Sequence, residues 1–90
     1  MKKHLQLILN NVLKEQKNLL YGEDCDIIVD KVDWVKSKNC HIVNITIYTK
    51  NIEESVEVHP DGINWLIDAG WPILGRKQKP IVISSLDVKI

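Results

Sequence analysis

The sequence predicts an α+β domain in which two helices lie on one face of a four-stranded, mostly antiparallel sheet, in the order αβββαβ. Three observations predict it. Residues 2–21 repeat apolar side chains every three or four positions. Residues 40–50, CHIVNITIYTK, alternate strictly between apolar and polar. Residues 61–70 return to helical spacing between an Asp and a Gly. A period of 3.6 marks a helix with one buried side, and a period of two marks a half-buried strand.

In the first helix, Leu5, Ile8, Leu9, Val12, Leu13, Gln16 and Leu20 form the stripe. Lys2, Lys3, Lys14, Glu15 and Lys17 lie mostly off it, and Gly22 is placed to end the helix in a left-handed conformation. The expectation is a helix packed on the sheet. A membrane-surface helix would carry a more basic polar face and an aromatic anchor within the stripe.

The first strand, about residues 26–35, carries Asp26, Asp30 and Asp33, charges that discourage strand addition at a sheet edge. Residues 36–39 close a hairpin into the strand 40–50, which is expected at the centre of the sheet. Pairing Val35 with Cys40 sets Trp34 opposite His41, Val32 opposite Val43 and Ile28 opposite Ile47. A slip of one residue would bring Asp33 against Val43, so burial fixes this register. Asp30 then falls opposite Ile45 on the core face, and a bulge at Asp30–Lys31 would relieve it. The second face receives Ile27, Val29, Val35, Cys40, Ile42 and Tyr48. That is apolar for a face open to water, and calls for cover by the 71–80 loop or by a partner.

Residues 55–59 read as a third strand, with Lys50 paired to Ser55 so that Val58 faces Ile47. Asp61 is a good N-cap for a helix 61–70 with the stripe Ile63, Leu66 and Ile67; Gly70 follows as its stop and Trp71 as its clasp. Residues 71–80, WPILGRKQKP, form a long irregular connection with a basic tip. The last strand runs over 81–90, with a right-handed crossover if it lies parallel to the third.

Ninety residues suit one domain spanning 1–90. Twelve basic side chains balance twelve acidic ones, which argues against a dedicated nucleic-acid binder, whose affinity comes from neutralising phosphates. No segment approaches the ~20 apolar residues that cross a bilayer, so no membrane partner is expected. Cys25 and Cys40 are not preceded by a secretory signal, so a cytoplasmic setting and free thiols are expected. Lysine outnumbers arginine eleven to one, the usage of an AT-rich genome such as that of a phage, a virus or a low-GC bacterium; a phage protein would work in its host's cytoplasm.

No motif supplies chemistry. Cys25, Cys40, His41 and His59 lack the CxxC and HxxxH spacings of zinc sites, and the adjacent Cys40 and His41 point to opposite faces of their strand. His41 is expected beside Trp34. Ser84 and Ser85 lack the glycine elbow of a serine nucleophile, and no phosphate-binding loop is present. The expectation is therefore no catalytic residue, no metal and no cofactor. What remains is a small non-enzymatic protein–protein interaction module, an accessory, inhibitor, immunity-type or assembly subunit, whose partner is another protein or a second copy of itself. Its contact is expected on Trp71, Ile73 and Leu74, rimmed by Arg76, Lys77 and Lys79, and joined to Ile27, Val29, Ile42 and Tyr48. The alternative is a nucleic-acid-binding accessory protein that uses the basic Arg76–Lys79 loop with Trp65 and Trp71.

Overall fold

A computed structural model describes residues 2–86. Leu5, Leu9 and Leu13 are fully buried, and Ile8, Val12 and Leu20 pack beside them, so the stripe read from the sequence is the face that meets the sheet. The helix is interrupted once, giving α1 (Lys2–Val12) and α2 (Lys14–Tyr21). At Leu13 the backbone relaxes to φ −100°, ψ 8°. The hydrogen bonds from Leu13 N–H to Leu9 and from Lys17 N–H to Leu13 carry the helix across the break. Gly22 ends it at φ 87°, ψ 173°, an extended geometry with positive φ rather than the left-handed helical stop expected; only glycine adopts it freely.

The sheet is a five-stranded antiparallel meander of β1 (Ile27–Val35), β2 (Cys40–Ile47), β3 (Ile52–Asp61), β4 (Asn64–Asp68) and β7 (Ile81–Ser84), in that spatial order. A small hairpin of β5 (Pro72–Ile73) and β6 (Arg76–Lys77) interrupts the last connection. The α+β class holds. The order αβββαβ and the count of four strands do not, and β3 rather than 40–50 lies at the centre.

The main correction is at 61–70. Asp61 pairs with Asn64 across a two-residue turn, and β4 continues as a strand instead of a helix. Gly62 has φ 61° and Ile63 does not share it, the pattern of a type II′ hairpin with glycine first. The stripe Ile63, Leu66, Ile67 competes with the alternation Trp65, Ile67, Ala69, and cross-strand pairing with Val58 and Ile81 decides for the latter. No parallel pair exists among the described strands, so the right-handed crossover does not arise. The final strand is described only to Ser84, and the expectation for 87–90 lies outside the described residues.

The first hairpin follows the predicted register from Val35–Cys40 through Val32–Val43. The bulge falls at Asp30, between Val29 and Lys31. Below it, Ile27 rather than Ile28 faces Ile47, and Val29 faces Ile45. Ile27 and Val29 therefore belong to the helix-covered core, where both are buried, and not to the second face. Asp30 turns outward and accepts a 2.6 Å hydrogen bond from the Thr46 hydroxyl.

The second hairpin also differs from expectation. β2 stops at Ile47, and residues 48–51 turn through positive φ at Thr49 and Asn51. Ile52 then pairs with Ile47 and Val56 with Val43. Val56 and Val58 still reach the core as expected.

The helix also closes the outer edge of β1. The Asn10 amide accepts from Ile27 N–H at 2.7 Å and donates to Ile27 C=O at 3.0 Å. One turn earlier, the Gln6 side chain accepts from Val29 N–H, and Lys2 donates to Asp30 C=O. Polar residues four apart thus stand in for a missing neighbouring strand, which removes an edge that could recruit another chain. Lys17, 5% exposed, donates to the same Asn10 amide.

Candidate functional site

Helix and small hairpin both lie on one side of the sheet. Trp71 packs edge-on against Tyr21, with ring centroids 5.8 Å apart, and is 4% exposed; Ile73 is buried beside it. The hairpin turns at Leu74 and Gly75, both with positive φ. Within the 71–80 segment Trp71 joins the core on the helix side, and apart from the reach of Lys77 to Asp68 the other face of the sheet is left uncovered among the described residues.

This settles where the expected contact residues sit. Trp71, Ile73, Ile27 and Val29 are core residues and offer no surface. Leu74 is almost wholly exposed at the hairpin tip, next to Arg76, Lys77 and Lys79, which are exposed as well. Lys77 reaches Asp68 at 3.8 Å. Tyr48 is exposed in the β2–β3 turn. Ile42 alone of the expected set lies within the open face, half-buried and paired to Asp33 and Glu57. Trp65 is half-buried on the opposite, helix side, where Trp34, His41 and Trp65 form a ladder of rings with centroids 4.9 and 5.6 Å apart. Burial there holds the His41 imidazole below its ordinary pKa.

The open face has two zones. Toward one end, Asp30, Lys31, Asn44, Thr46, Glu53 and Ser55 line a shallow groove of about 720 Å³. Toward the other, Val35, Ile42, Leu66 and Val82 surround Cys40, Glu57 and His59. Strand geometry places those three together. Glu57 and His59 are two apart on β3 and share a face. The register His41–Val58 brings the preceding residue, Cys40, alongside His59. The Cys40 thiol donates toward Glu57 Oε1 at 3.9 Å, and His59 Nε2 lies 2.9 Å from the same oxygen. The donor atoms of all three fall within 4.8 Å of one another.

Sequence spacing did not reveal this cluster. The expected pairing of Lys50 with Ser55 would set His59 beside Thr46; only the observed turn at 48–51 delivers it to Cys40. The cluster is not an activated nucleophile. Burial first, and then the negative charge of Glu57, push the Cys40 thiol up, with Lys38 pulling weakly the other way. The carboxylate oxygen stands between thiol and imidazole, so the imidazole makes no hydrogen bond to the sulfur. The second thiol, Cys25, is buried in the core, where it donates to Tyr21 C=O; both cysteines are free.

No protein-family model, curated protein or solved structure matches the chain. No helix among the described residues is long and apolar enough to cross a membrane.

Proposed function

We propose that the protein is a small non-enzymatic binding module that receives a partner protein on the open face of its sheet. The observation that carries this reading is the apolar patch Val35, Ile42, Leu66 and Val82 on a face that neither the helix nor the hairpin covers. Beside it stand Asp33, Glu57 and Asp68, with Asp30 and Glu53 in the adjoining groove, while Lys31 is already paired to Asp33 at 3.3 Å and Lys77 to Asp68 at 3.8 Å. An apolar centre inside an acidic rim suits a protein surface with an apolar centre and Lys or Arg at its border. The same carboxylates repel phosphates, which disfavours nucleic acid on this face.

One exposed position, Val82, one half-buried position, Leu66, and one exposed control test it. Val82→Asp and Leu66→Asp should abolish recovery of the stoichiometric complex formed by the wild type. Leu7→Asp, on the exposed side of the helix, should leave it intact. Equal loss with Leu7→Asp would place the contact elsewhere. The nucleic-acid reading expected from the sequence uses the Arg76–Lys79 loop with Trp65 and Trp71; with Trp71 buried, it would use the Trp34–His41–Trp65 ladder, with Lys36 and Lys38 in the adjoining turn. A nuclease-sensitive complex lost on Trp34→Ala would favour that reading instead.

A further inference from the structure

We propose that Cys40, Glu57 and His59 form a binding site for one divalent ion of the zinc class. The inference goes beyond partner binding and stands on different observations. Thiolate, imidazole and carboxylate are the three ligand types that Zn²⁺ accepts, and a thiolate with an imidazole selects against Mg²⁺ and Ca²⁺, which take oxygen ligands.

The distances are near those required. A tetrahedral ion with bonds of ~2.3 Å to sulfur and ~2.0–2.1 Å to nitrogen and oxygen holds its ligand atoms roughly 3.3–3.6 Å apart. Here the sulfur–oxygen distance is 3.9 Å and the nitrogen–oxygen distance is 2.9 Å. Each of these changes by about half an ångström in the metal-bound geometry, while the third pair, thiol sulfur and imidazole nitrogen, lies within 4.8 Å and closes by up to roughly 1.3 Å, which rotation of the Cys40 and His59 side chains supplies. The backbone already fixes the arrangement, because β2 and β3 are both interior strands paired on two sides.

Charge and surroundings agree with the distances. One thiolate and one carboxylate balance a dication, so the loaded site is neutral, which suits its partial burial. Cys40 lies fully buried at the floor, while the His59 and Glu57 side chains are 33% and 37% exposed. Val35, Ile42 and Leu66 wall the site with apolar surface. Asp68, the cross-strand neighbour of Glu57, is engaged by Gly70 N–H and Lys77 and is not counted as a ligand. Three protein ligands leave one coordination position, and it faces out of the sheet toward solvent.

The test titrates the reduced, full-length protein with Co²⁺ and then Zn²⁺. The expected result is one equivalent bound, with thiolate-to-cobalt charge-transfer absorption and the intense visible bands of a tetrahedral site, bleached by zinc. Zinc should also raise the Tm. His59→Ala and Glu57→Gln should weaken cobalt binding by more than the about 10–100-fold typical of losing an outer-sphere partner. Cys40→Ser should remove the charge-transfer band, and Cys25→Ala should keep it. Should Cys40→Ser fail to fold, the two exposed-ligand variants still decide. Absence of the band in the folded wild type, or a titration unchanged by His59→Ala and Glu57→Gln, overturns the site.

Discussion

Trp71 shows how a residue that draws attention in the sequence can serve the interior. Its ring closes the core between the helix end and the small hairpin, and its indole N–H has no hydrogen-bond partner among the described residues. Truncation to alanine should cost about 3–5 kcal/mol of stability, as for a buried aromatic. The affinity of the remaining folded protein for its partner should stay unchanged; denaturant titration and binding measured on the same variant separate the two effects. Tyr21, beside it, has its phenol pushed up to about 12, first by burial, then by its 2.9 Å hydrogen bond to Glu54 and the charge of that carboxylate. The folded state then holds a proton that the unfolded chain releases from pH 10.0 upward. Its contribution to stability is complete below pH 10 and is lost as pH rises through about 12. Tyr21→Phe should flatten the fall in denaturation midpoint across that interval, and an unchanged profile would count against the raised phenol pKa. The neighbourhood of His41 and Trp34 was legible because hairpin counting put them opposite each other. The Cys40–Glu57–His59 cluster was not, because it depends on where the second strand ends: a turn at 48–51, rather than one after Lys50, decides which residue of β3 meets Cys40.

At the scale of elements, legibility followed the length of the pattern. The helix over 2–21 was readable because its stripe persists for five turns, and the bulge at Asp30 because a carboxylate cannot sit opposite Ile45 in a core. The stretch 61–70 is too short to separate a helical stripe from a strand. Its Asp–Gly pair suits both a helix start and a hairpin turn. The two readings predict opposite signs for one substitution. In the first turn of a helix, Gly62→Ala would gain a few tenths to about 1 kcal/mol. In the observed hairpin, the position has φ 61° with open space around an added Cβ, so the cost is backbone strain alone, about 1–2 kcal/mol of lost stability. A small rise in the denaturation midpoint would restore the helix. Gln6 and Asn10 lie outside the apolar stripe of the helix, which by itself gives them no role. Their role, pairing with the free edge of β1, becomes visible once the helix is known to lie along that edge.

Over the whole molecule, a formal charge of zero conceals a division of charge. Lys2, Lys3 and Lys14 belong to the helix, whereas Asp30, Asp33, Glu53, Glu57 and Asp68 lie on or beside the opposite sheet face. Composition registers only the sum; the topology leaves an excess of each sign on its own side, with Lys31 and Lys77 paired among the carboxylates and Glu15 on the helix. A divided surface orients an approaching partner at distances up to a Debye length, roughly 8–10 Å at 0.1–0.15 M salt. The proposed partner, basic at its rim, should therefore associate with a rate constant that falls as salt rises, while dissociation changes little. Glu53→Lys places a cation in the groove of the open face, at an exposed position outside the apolar patch. It should slow association and flatten the salt dependence, with residence time close to that of the wild type. Lys14→Glu, a change of equal size on the helix, should leave the association rate unchanged or slightly raised. Rapid-mixing measurements of both variants over a salt series read these quantities directly. Association that ignores salt, or that slows as much for Lys14→Glu as for Glu53→Lys, would mean that the acidic face is not the surface the partner meets first.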